Sequence, residues 1–227
     1  MKKTPLAFVG LMLVATSTAA IAENNRDSLS QFTVGIYGSS NSLDFGNSDL
    51  KTFTGTGSGA SIQFAPNISD RNKMLFIADY AHENNEAYDV LEIISDRFNF
   101  TAGFMGGVGK NSHWFAGAKY SSHKLKQVES GYTLSSSTKT GFGATGGFIF
   151  PFADAWTIKG SIGASHFAAK DGDPALDLGV ADAGIEFRPI PLLGLTLGAQ
   201  ANYYIDSDND DNTLSLLSGR IGLNFHF

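Results

Sequence analysis

One pattern recurs about ten times along the chain, in segments of roughly nine to thirteen residues: apolar side chains alternate with polar or small ones. Residues 98–109 show the pattern well, because Phe98, Phe100, Ala102, Phe104 and Val108 alternate with Asn, Thr and Gly residues. Successive side chains of a β-strand point to opposite faces, so each segment predicts a strand with one apolar and one polar face. The sequence therefore predicts an all-β fold.

The predicted strands have the length of strands that cross a membrane. They cover residues 31–39, 57–65, 74–81, 98–109, 113–123, 139–150, 156–167, 177–188, 193–205 and 216–227. A tilted strand needs about 9 to 11 residues to cross the hydrocarbon layer. Both Met74 and Leu75 are apolar, so the facing of the third segment is ambiguous, and residues 88–95 are also strand-like. Eight or twelve strands therefore remain possible beside ten.

The connections alternate between short and long. Short ones fall at residues 66–73, 110–112, 151–155 and 189–192, and four prolines lie in them. Long ones fall at residues 40–56, 82–97, 124–138, 168–176 and 206–215. In outer-membrane barrels, short turns face the periplasm and long loops face the outside. The prediction is a closed antiparallel transmembrane β-barrel of about ten strands, with both termini at the short-turn end.

The N-terminus has the pattern of a secretory signal. Lys2 and Lys3 precede a short apolar stretch, and Ala20, Ile21 and Ala22 form an A-x-A cleavage site. We therefore expect a signal peptide at residues 1–22, export through the Sec pathway, and a mature barrel at residues 23–227. The mature chain has no stretch of 18 or more apolar residues, which argues against helical membrane spans.

Charge and cysteine content exclude several classes of function. Removal of Lys2 and Lys3 leaves 14 of the 16 Lys and Arg residues against 22 Asp and Glu, a formal charge of −8. We therefore expect no nucleic-acid partner, because no basic surface is available for phosphates. The chain has no Cys, so it forms no disulfide and offers no thiolate ligand. The sequence contains no motif that predicts a cofactor.

The last strand ends on the pattern polar-x-Gly-x-x-aromatic-x-aromatic, carried by Arg220, Gly222, Phe225 and Phe227. This pattern resembles the recognition signal that closes Gram-negative outer-membrane β-barrels. The resemblance implies insertion into the outer membrane by the barrel-assembly machinery, and contact there with membrane lipid and lipopolysaccharide. Residues 161–204, with Gly184 to Pro189 before a short turn, also resemble the C-terminal hairpins of YfaZ-type outer-membrane proteins. That family implies no particular functional residue.

Charged residues of both signs fall on the predicted inner face: Lys119, Lys159, Asp182, Glu186, Arg188 and Arg220. On the lipid face near mid-bilayer, a Lys or Arg costs about 2 to 4 kcal/mol, so the face that carries these charges is the lumen. Lys159 and Glu186 lie on adjacent strands and are expected to pair. Two interpretations remain open at this point: an internal ion-pair network that plugs the barrel, and a narrow conducting constriction.

Two further features concern the rims. Aromatic residues near the ends of the strands, including Tyr37, Tyr80, Tyr120, Tyr203 and Tyr204, predict a girdle at the outer membrane surface. The acidic segment 206–212 starts as D-x-D-x-D but lacks the Gly and the bidentate Glu of an EF-hand. Asp206, Asp208 and Asp210 are therefore only a weak candidate site for Ca²⁺ or Mg²⁺ on the outer rim.

Some barrels of this kind are enzymes, so the histidines need to be considered. The omptin proteases need an Asp with a His above the lumen, and only His123 among the outer-rim histidines is predicted to point inward. Lipid A deacylases of the PagL type use a lipid-facing His. His82 and His166 are predicted to face outward, but the next strand after His166 is expected to carry no outward acid. The chain is therefore predicted not to be an enzyme.

The predicted function is that of a non-enzymatic outer-membrane barrel, either structural in the envelope or a narrow passive channel for small solutes or ions. The alternative is a surface-binding or adhesion protein that acts through its long acidic loops. A rim enzyme of the omptin or PagL kind is third.

Overall fold

The computed structural model describes residues 32–45, 53–87, 91–108, 112–169, 175–206 and 209–227. The predicted signal peptide lies outside these residues. The described residues form ten strands: β1 (Phe32–Phe45), β2 (Phe53–Phe64), β3 (Asn72–Ala87), β4 (Leu91–Val108), β5 (Ser112–Glu129), β6 (Tyr132–Ala153), β7 (Trp156–Phe167), β8 (Leu176–Ile190), β9 (Leu193–Asp206) and β10 (Asn209–His226). In the described part of the chain, no helix is long and apolar enough to cross a membrane.

The strands form one closed antiparallel barrel, as the sequence predicts. Each strand pairs with its neighbours in chain order, and β10 pairs with β1 from Thr33 opposite His226 to Phe45 opposite Leu214. Beyond this ladder, the Phe227 N–H donates to the Phe32 carbonyl at 2.8 Å. Closure satisfies the backbone groups of both edge strands, which is the condition for placing strands in lipid.

The outer surface of the barrel is an apolar belt. Large apolar side chains on alternate positions of neighbouring strands are exposed, for example Phe104, Phe142, Ile162, Leu197 and Ile221. A water-soluble barrel would expose this much apolar surface at a large cost in free energy. Hydrocarbon removes that cost, so the belt matches the lipid face of a transmembrane barrel.

Four of the five predicted long loops are more than half strand: residues 40–56, 82–97, 124–138 and 206–215. Residues 124–138 form a β-hairpin between β5 and β6 that turns at Ser130 and Gly131, with φ values of 48° and 85°. Two positive φ values in a two-residue turn match the twist of the flanking strands. Most of residues 206–215 likewise belong to β9 and β10. The sequence missed these extensions because their mostly polar residues, many of them Ser and Thr, show no apolar alternation.

We call the end of the barrel with these extensions the hairpin end, and the opposite end the turn end. At the turn end, the connections 65–71, 154–155 and 191–192 lie close to the predicted short turns. Residues 110 and 111 of the predicted turn 110–112 lie outside the described residues. The ambiguous facing of β3 is also resolved. Leu75 is fully buried in the lumen whereas Met74 faces outward, and residues 91–95 of the strand-like stretch belong to β4.

The predicted tyrosine girdle is wrong at two positions. Tyr37 lies on the inner face, where its hydroxyl donates to Asp79 Oδ2 at 3.4 Å. The Tyr204 hydroxyl also lies inside, 3.2 Å from His123 Nδ1. Both residues have the inward parity of their strands, and that parity outweighs the preference of Tyr for the membrane surface. Tyr80 and Tyr203 face outward and are exposed.

Candidate functional site

The six charged residues that the sequence assigns to the lumen all lie on the inner face of the barrel. Lys119 is 9% exposed and Glu186 is fully buried. Lys159, Asp182, Arg188 and Arg220 are partly buried. Five of them form two clusters: Lys159 and Arg188 contact Glu186, and Asp182 contacts Arg220.

Glu186 on β8 is the anion of the first cluster. Its carboxylate pairs with Lys159 on β7, accepts a hydrogen bond from Arg188 Nε at 3.0 Å, and lies 2.5 Å from His226 Nε2. His226 is on β10, two strands away, and Gly194 lies between them on β9. A Cβ at Gly194 would collide with the Glu186 carboxylate. The small residue therefore allows side chains from three strands to converge on a single buried carboxylate.

Arg220 on β10 is the cation of the second cluster. Its guanidinium bonds to Gln200, lies 3.7 Å from Asp182 Oδ2, and stacks 4.7 Å from the centre of the Tyr37 ring. Gly222 pairs directly with Tyr37, and a Cβ there would contact the Ile36 carbonyl and the Tyr37 side chain. In the folded barrel, Arg220 and Gly222 of the insertion pattern thus hold the seam between β10 and β1.

The other two residues of the insertion pattern lie at the turn end of the same seam. Phe225 pairs with Val34 and is 36% exposed on the outer face. Phe227 packs against Phe32 with ring centroids 6.1 Å apart. Both aromatic residues are thus at the barrel surface where β10 closes onto β1.

A buried ion pair between Glu83 and Arg97 was missed by the sequence analysis. Arg97 Nη2 bonds to Glu83 Oε1, and the two side chains are 1% and 4% exposed for Glu83 and Arg97. Both residues lie in the segment 82–97 that was predicted to be a loop. In the structure, Glu83 belongs to β3, whose facing the sequence left ambiguous, and Arg97 belongs to β4. With the facing of β3 known, period-two parity would have placed both residues in the lumen.

A chain of hydrogen bonds crosses the middle of the lumen. Tyr37 and Asn99 both bond to the Asp79 carboxylate at 3.4 Å, Ser121 donates to Asn99 at 2.9 Å, and the Ser121 and Ser165 hydroxyls lie 3.3 Å apart. Ser121 and Ser165 are on β5 and β7, with Gly143 of β6 between them. A Cβ at Gly143 would collide with the backbone of Ala164 and Ser165. The chain thereby links five strands from β1 to β7 through side chains alone.

Apolar side chains cluster inside the lumen at both ends. At the turn end, a cluster that we call the turn-end plug comprises Ala65, Leu75, Met105 and Ile149, with Ile77 and Phe115 packed against it. At the hairpin end, the hairpin-end cluster comprises Leu43, Phe53 and Leu216, with Leu91, Ile93 and Leu214 packed against it. The plug comes from β3 to β6 and the residue after β2, and the Glu186 cluster comes from β7, β8 and β10. Apolar and charged side chains therefore occupy different parts of the wall at the turn end, and the hairpin end has its own apolar cluster.

The outward histidines correct one expectation. His166 lies 2.8 Å from Asp177 Oδ1, and Asp177 is its cross-strand partner on β8, so an outward acid does follow His166. His82 likewise lies 2.8 Å from Asp96 Oδ1, which also accepts a hydrogen bond from Tyr80. The sequence analysis missed Asp177 because it lies at the very start of its predicted strand. His123 points inward, as expected, and is buried.

The predicted cation site lies outside the side chains that the structure describes, because Asp206, Asp208 and Asp210 are at the β9–β10 connection. Among the described residues, no group of three or more His, Asp and Glu side chains is arranged to hold a metal ion.

The closed ladder, the apolar belt and the polar inner face together define the class of this protein: it is a small transmembrane β-barrel of the outer-membrane type. The inner face is packed with side chains and does not line a wide aqueous channel. No protein-family model matches the sequence, and no curated protein matches it either.

Several solved outer-membrane barrels are similar in structure. One is the neisserial surface protein A, at 15% identity and a TM-score of 0.48, covering 87% of this chain and 98% of that chain. Another is the attachment invasion locus protein Ail of Yersinia pestis, at 11% identity and a TM-score of 0.43, covering 88% of this chain and all of that chain. The outer membrane protease OmpT of Escherichia coli has 8% identity and a TM-score of 0.45, covering 89% of this chain and all of that chain. The barrel fold of this protein is established by the pairing of its own ten strands.

Proposed function

We propose that this protein is a sealed barrel of the Gram-negative outer membrane with a structural, non-enzymatic role in the envelope. One observation carries the proposal: side chains of the inner face are buried at every level of the lumen. At most 1% of each of the following residues is exposed: Leu75 and Glu186 near the turn end, Ser121 in the middle, and Glu83 and Phe167 nearer the hairpin end. In a conducting pore, these lining side chains would contact water.

The packing explains why the closed state is stable. An ion entering at the turn end would have to pass between the buried apolar side chains of the turn-end plug and the ion pairs around Glu186. Water leaves apolar constrictions, which disfavours passage along the plug. On the other side, the three partners of Glu186 leave it no solvent access. Opening the lumen would expose these buried groups and break their ion pairs. The packed side chains therefore both stiffen the barrel and keep the lumen closed.

The location follows from the proposed class. The predicted signal peptide would carry the chain through the Sec pathway, and the barrel-assembly machinery would recognise the strand that ends at Phe227. The apolar belt would then contact membrane lipid, and the hairpin end would face lipopolysaccharide and the outside. A relationship to YfaZ-type proteins remains part of this proposal, carried by residues 161–204 alone.

Solute flux tests the sealed state. Proteoliposomes that contain the folded mature protein should swell in an isotonic monosaccharide solution no faster than empty liposomes. The double substitution Leu75→Gly and Met105→Gly removes two buried side chains of the turn-end plug and serves as the opened control. Swelling of the wild-type liposomes at the rate of the opened control would refute the proposal.

A rim hydrolase is a second candidate, and one arrangement of residues favours it. Ser58 on β2 pairs with His82 on β3, and His82 pairs with Asp96 on β4, so the three residues lie side by side on the outer face. Asp96 contacts Nδ1 of His82, which leaves Nε2 as the base. In a serine hydrolase, the base takes the serine proton as the hydroxyl attacks an ester carbonyl. At this rim, the substrate would be an acyl ester of an outer-leaflet lipid.

The chain offers a matched control for this candidate. His166 and Asp177 form a second outward pair of the same length, but the residue opposite His166 on β6 is Phe142. Ester hydrolysis in lipid micelles that is lost in Ser58→Ala and His82→Asn, and kept in His166→Asn, would establish the hydrolase. If the wild type shows no hydrolysis, or if all three variants lose it equally, the hydrolase is rejected and the structural role is the one that stands.

A further inference from the structure

We propose that the hairpin end of the barrel contains a binding site for a small, neutral, mostly apolar molecule that carries one hydrogen-bond donor, such as a medium-chain alcohol. The site is a cavity of about 370 Å³ inside the barrel wall. Its lining residues come from eight of the ten strands, and the argument depends on six of them: Leu43, Phe53, Asn85, Leu91, Ile93 and Leu216.

The apolar lining is not explained by the lipid. Leu43, Phe53, Leu91, Ile93 and Leu216 have the inward parity of their strands, so they face the lumen and not the apolar belt. The inner face of a transmembrane barrel is normally polar. Apolar side chains around an open space stabilise the fold less than those of a filled core, because they lack contacts on the side that faces the space. A ligand that fills the space would remove that apolar surface from water.

The size and shape of the cavity suit a small molecule. Cavities that bind small ligands have volumes of about 300 to 1,000 Å³ and are lined mostly by apolar side chains with a few polar groups. This cavity lies at the lower end of that range. Its volume therefore admits one short alkyl chain and excludes a folded partner or a whole lipid with several chains.

Asn85 supplies the polar anchor. It lines the cavity, is 1% exposed, and its Oδ1 has no hydrogen-bond partner among the described residues. Buried polar atoms are almost always hydrogen-bonded, so an acceptor of this kind calls for a donor. A hydroxyl group at the end of an alkyl chain would supply it. No Asp or Glu lines the cavity, and Lys126, its one charged lining residue, has the outward parity of β5, so no counter-ion faces a charged ligand.

Methyl NMR spectroscopy of the full mature protein in nanodiscs tests the site directly. With 1-octanol as the probe, the methyl signals of Leu43, Leu91 and Leu216 should shift and saturate. Leu195 and Leu197 face the lipid and serve as internal controls, because their signals should follow only the partitioning of octanol into the bilayer. Octane, which has no donor, should bind about five- to tenfold more weakly than octanol, as expected for one hydrogen bond.

Two further results would show that the Asn85 oxygen selects the ligand. In Asn85→Leu, the preference for octanol over octane should disappear while octane still saturates the same methyl signals. Octanoate should bind more weakly than octanol, because its carboxylate would face the Asn85 oxygen. Lumenal methyl signals that do not saturate in the wild type would overturn the proposal. Contacts between these methyl groups and Leu50 in the ligand-free protein would also overturn it. Leu50 lies between β1 and β2 in the chain, and such contacts would mean that this connection fills the cavity.

Discussion

Removing the charge of Glu186 is the perturbation with the best-defined structural consequence. The substitution Glu186→Gln keeps the shape of the side chain but leaves Lys159, Arg188 and His226 around a neutral group. Loss of one partner of a buried ion pair typically costs about 3 to 5 kcal/mol, because the remaining charge stays desolvated. Three observations decide where in that range this variant should fall.

The Lys159 and Arg188 side chains are 31% and 21% exposed, so water can partly solvate both cations once the anion is gone. His226 is almost fully buried and can remain neutral, and the Gln side chain can still accept one hydrogen bond. These three effects reduce the loss. We therefore expect the free energy of unfolding to fall by about 3 kcal/mol, at the lower end of the range for a buried pair.

Urea unfolding in lipid vesicles would measure this loss. Trp156 stacks on Phe187 with ring centroids 4.7 Å apart, so its fluorescence reports on the strand that carries Glu186. Asp177→Asn is the matched control, since it removes the acid of an exposed pair on the same strand and should cost less than about 1 kcal/mol. Adding Lys159→Met to Glu186→Gln should recover part of the loss. The reasoning is refuted if Glu186→Gln is no more destabilising than Asp177→Asn.

Three other predictions follow from the packing. Gly143→Val should abolish the heat-modifiable folded form, because its Cβ would collide with the backbone of β7, whereas Gly219→Ala should fold normally because nothing lies within 4 Å of that position. Deletion of Phe227 should slow assembly into outer membranes, because it removes both backbone hydrogen bonds to Phe32. Pulse-chase protease protection measures the rate of assembly, and a wild-type rate would contradict this prediction. Arg97→Leu should destabilise the barrel by about 3 kcal/mol or more in urea because Glu83 would remain buried and unpaired, and the double variant with Glu83→Leu should be more stable than Arg97→Leu alone.

The fold was predictable because each strand carries its own alternation. Apolar residues at every second position establish which face meets lipid, and that parity alone places Lys159 and Glu186 in the lumen. The polar residues 124–138 carry no such alternation, so the hairpin they form was not predicted. Parity was also available for Tyr37, but the position of a Tyr near a strand end was given more weight.

The contacts inside the lumen were less predictable, because they depend on the register between strands. His226 reaches Glu186 diagonally across β9, from a position beside Leu192 to one beside Thr196, and Gly194 leaves the space between them. No local pattern in the sequence encodes that alignment. The outward row of Ser58, His82 and Asp96 has the same origin, since it becomes visible only when the pairing of β2, β3 and β4 is known.

Single-channel recording in planar bilayers tests the sealed lumen most directly. The mature protein, shown to be folded by heat modifiability, should insert and give no discrete current steps, and the Lys159→Gln and Glu186→Gln variants should be equally silent if they fold. Discrete steps in the wild type, with a size or an ion selectivity that changes in these two variants, would show a water-filled path lined by both charges and would contradict the account.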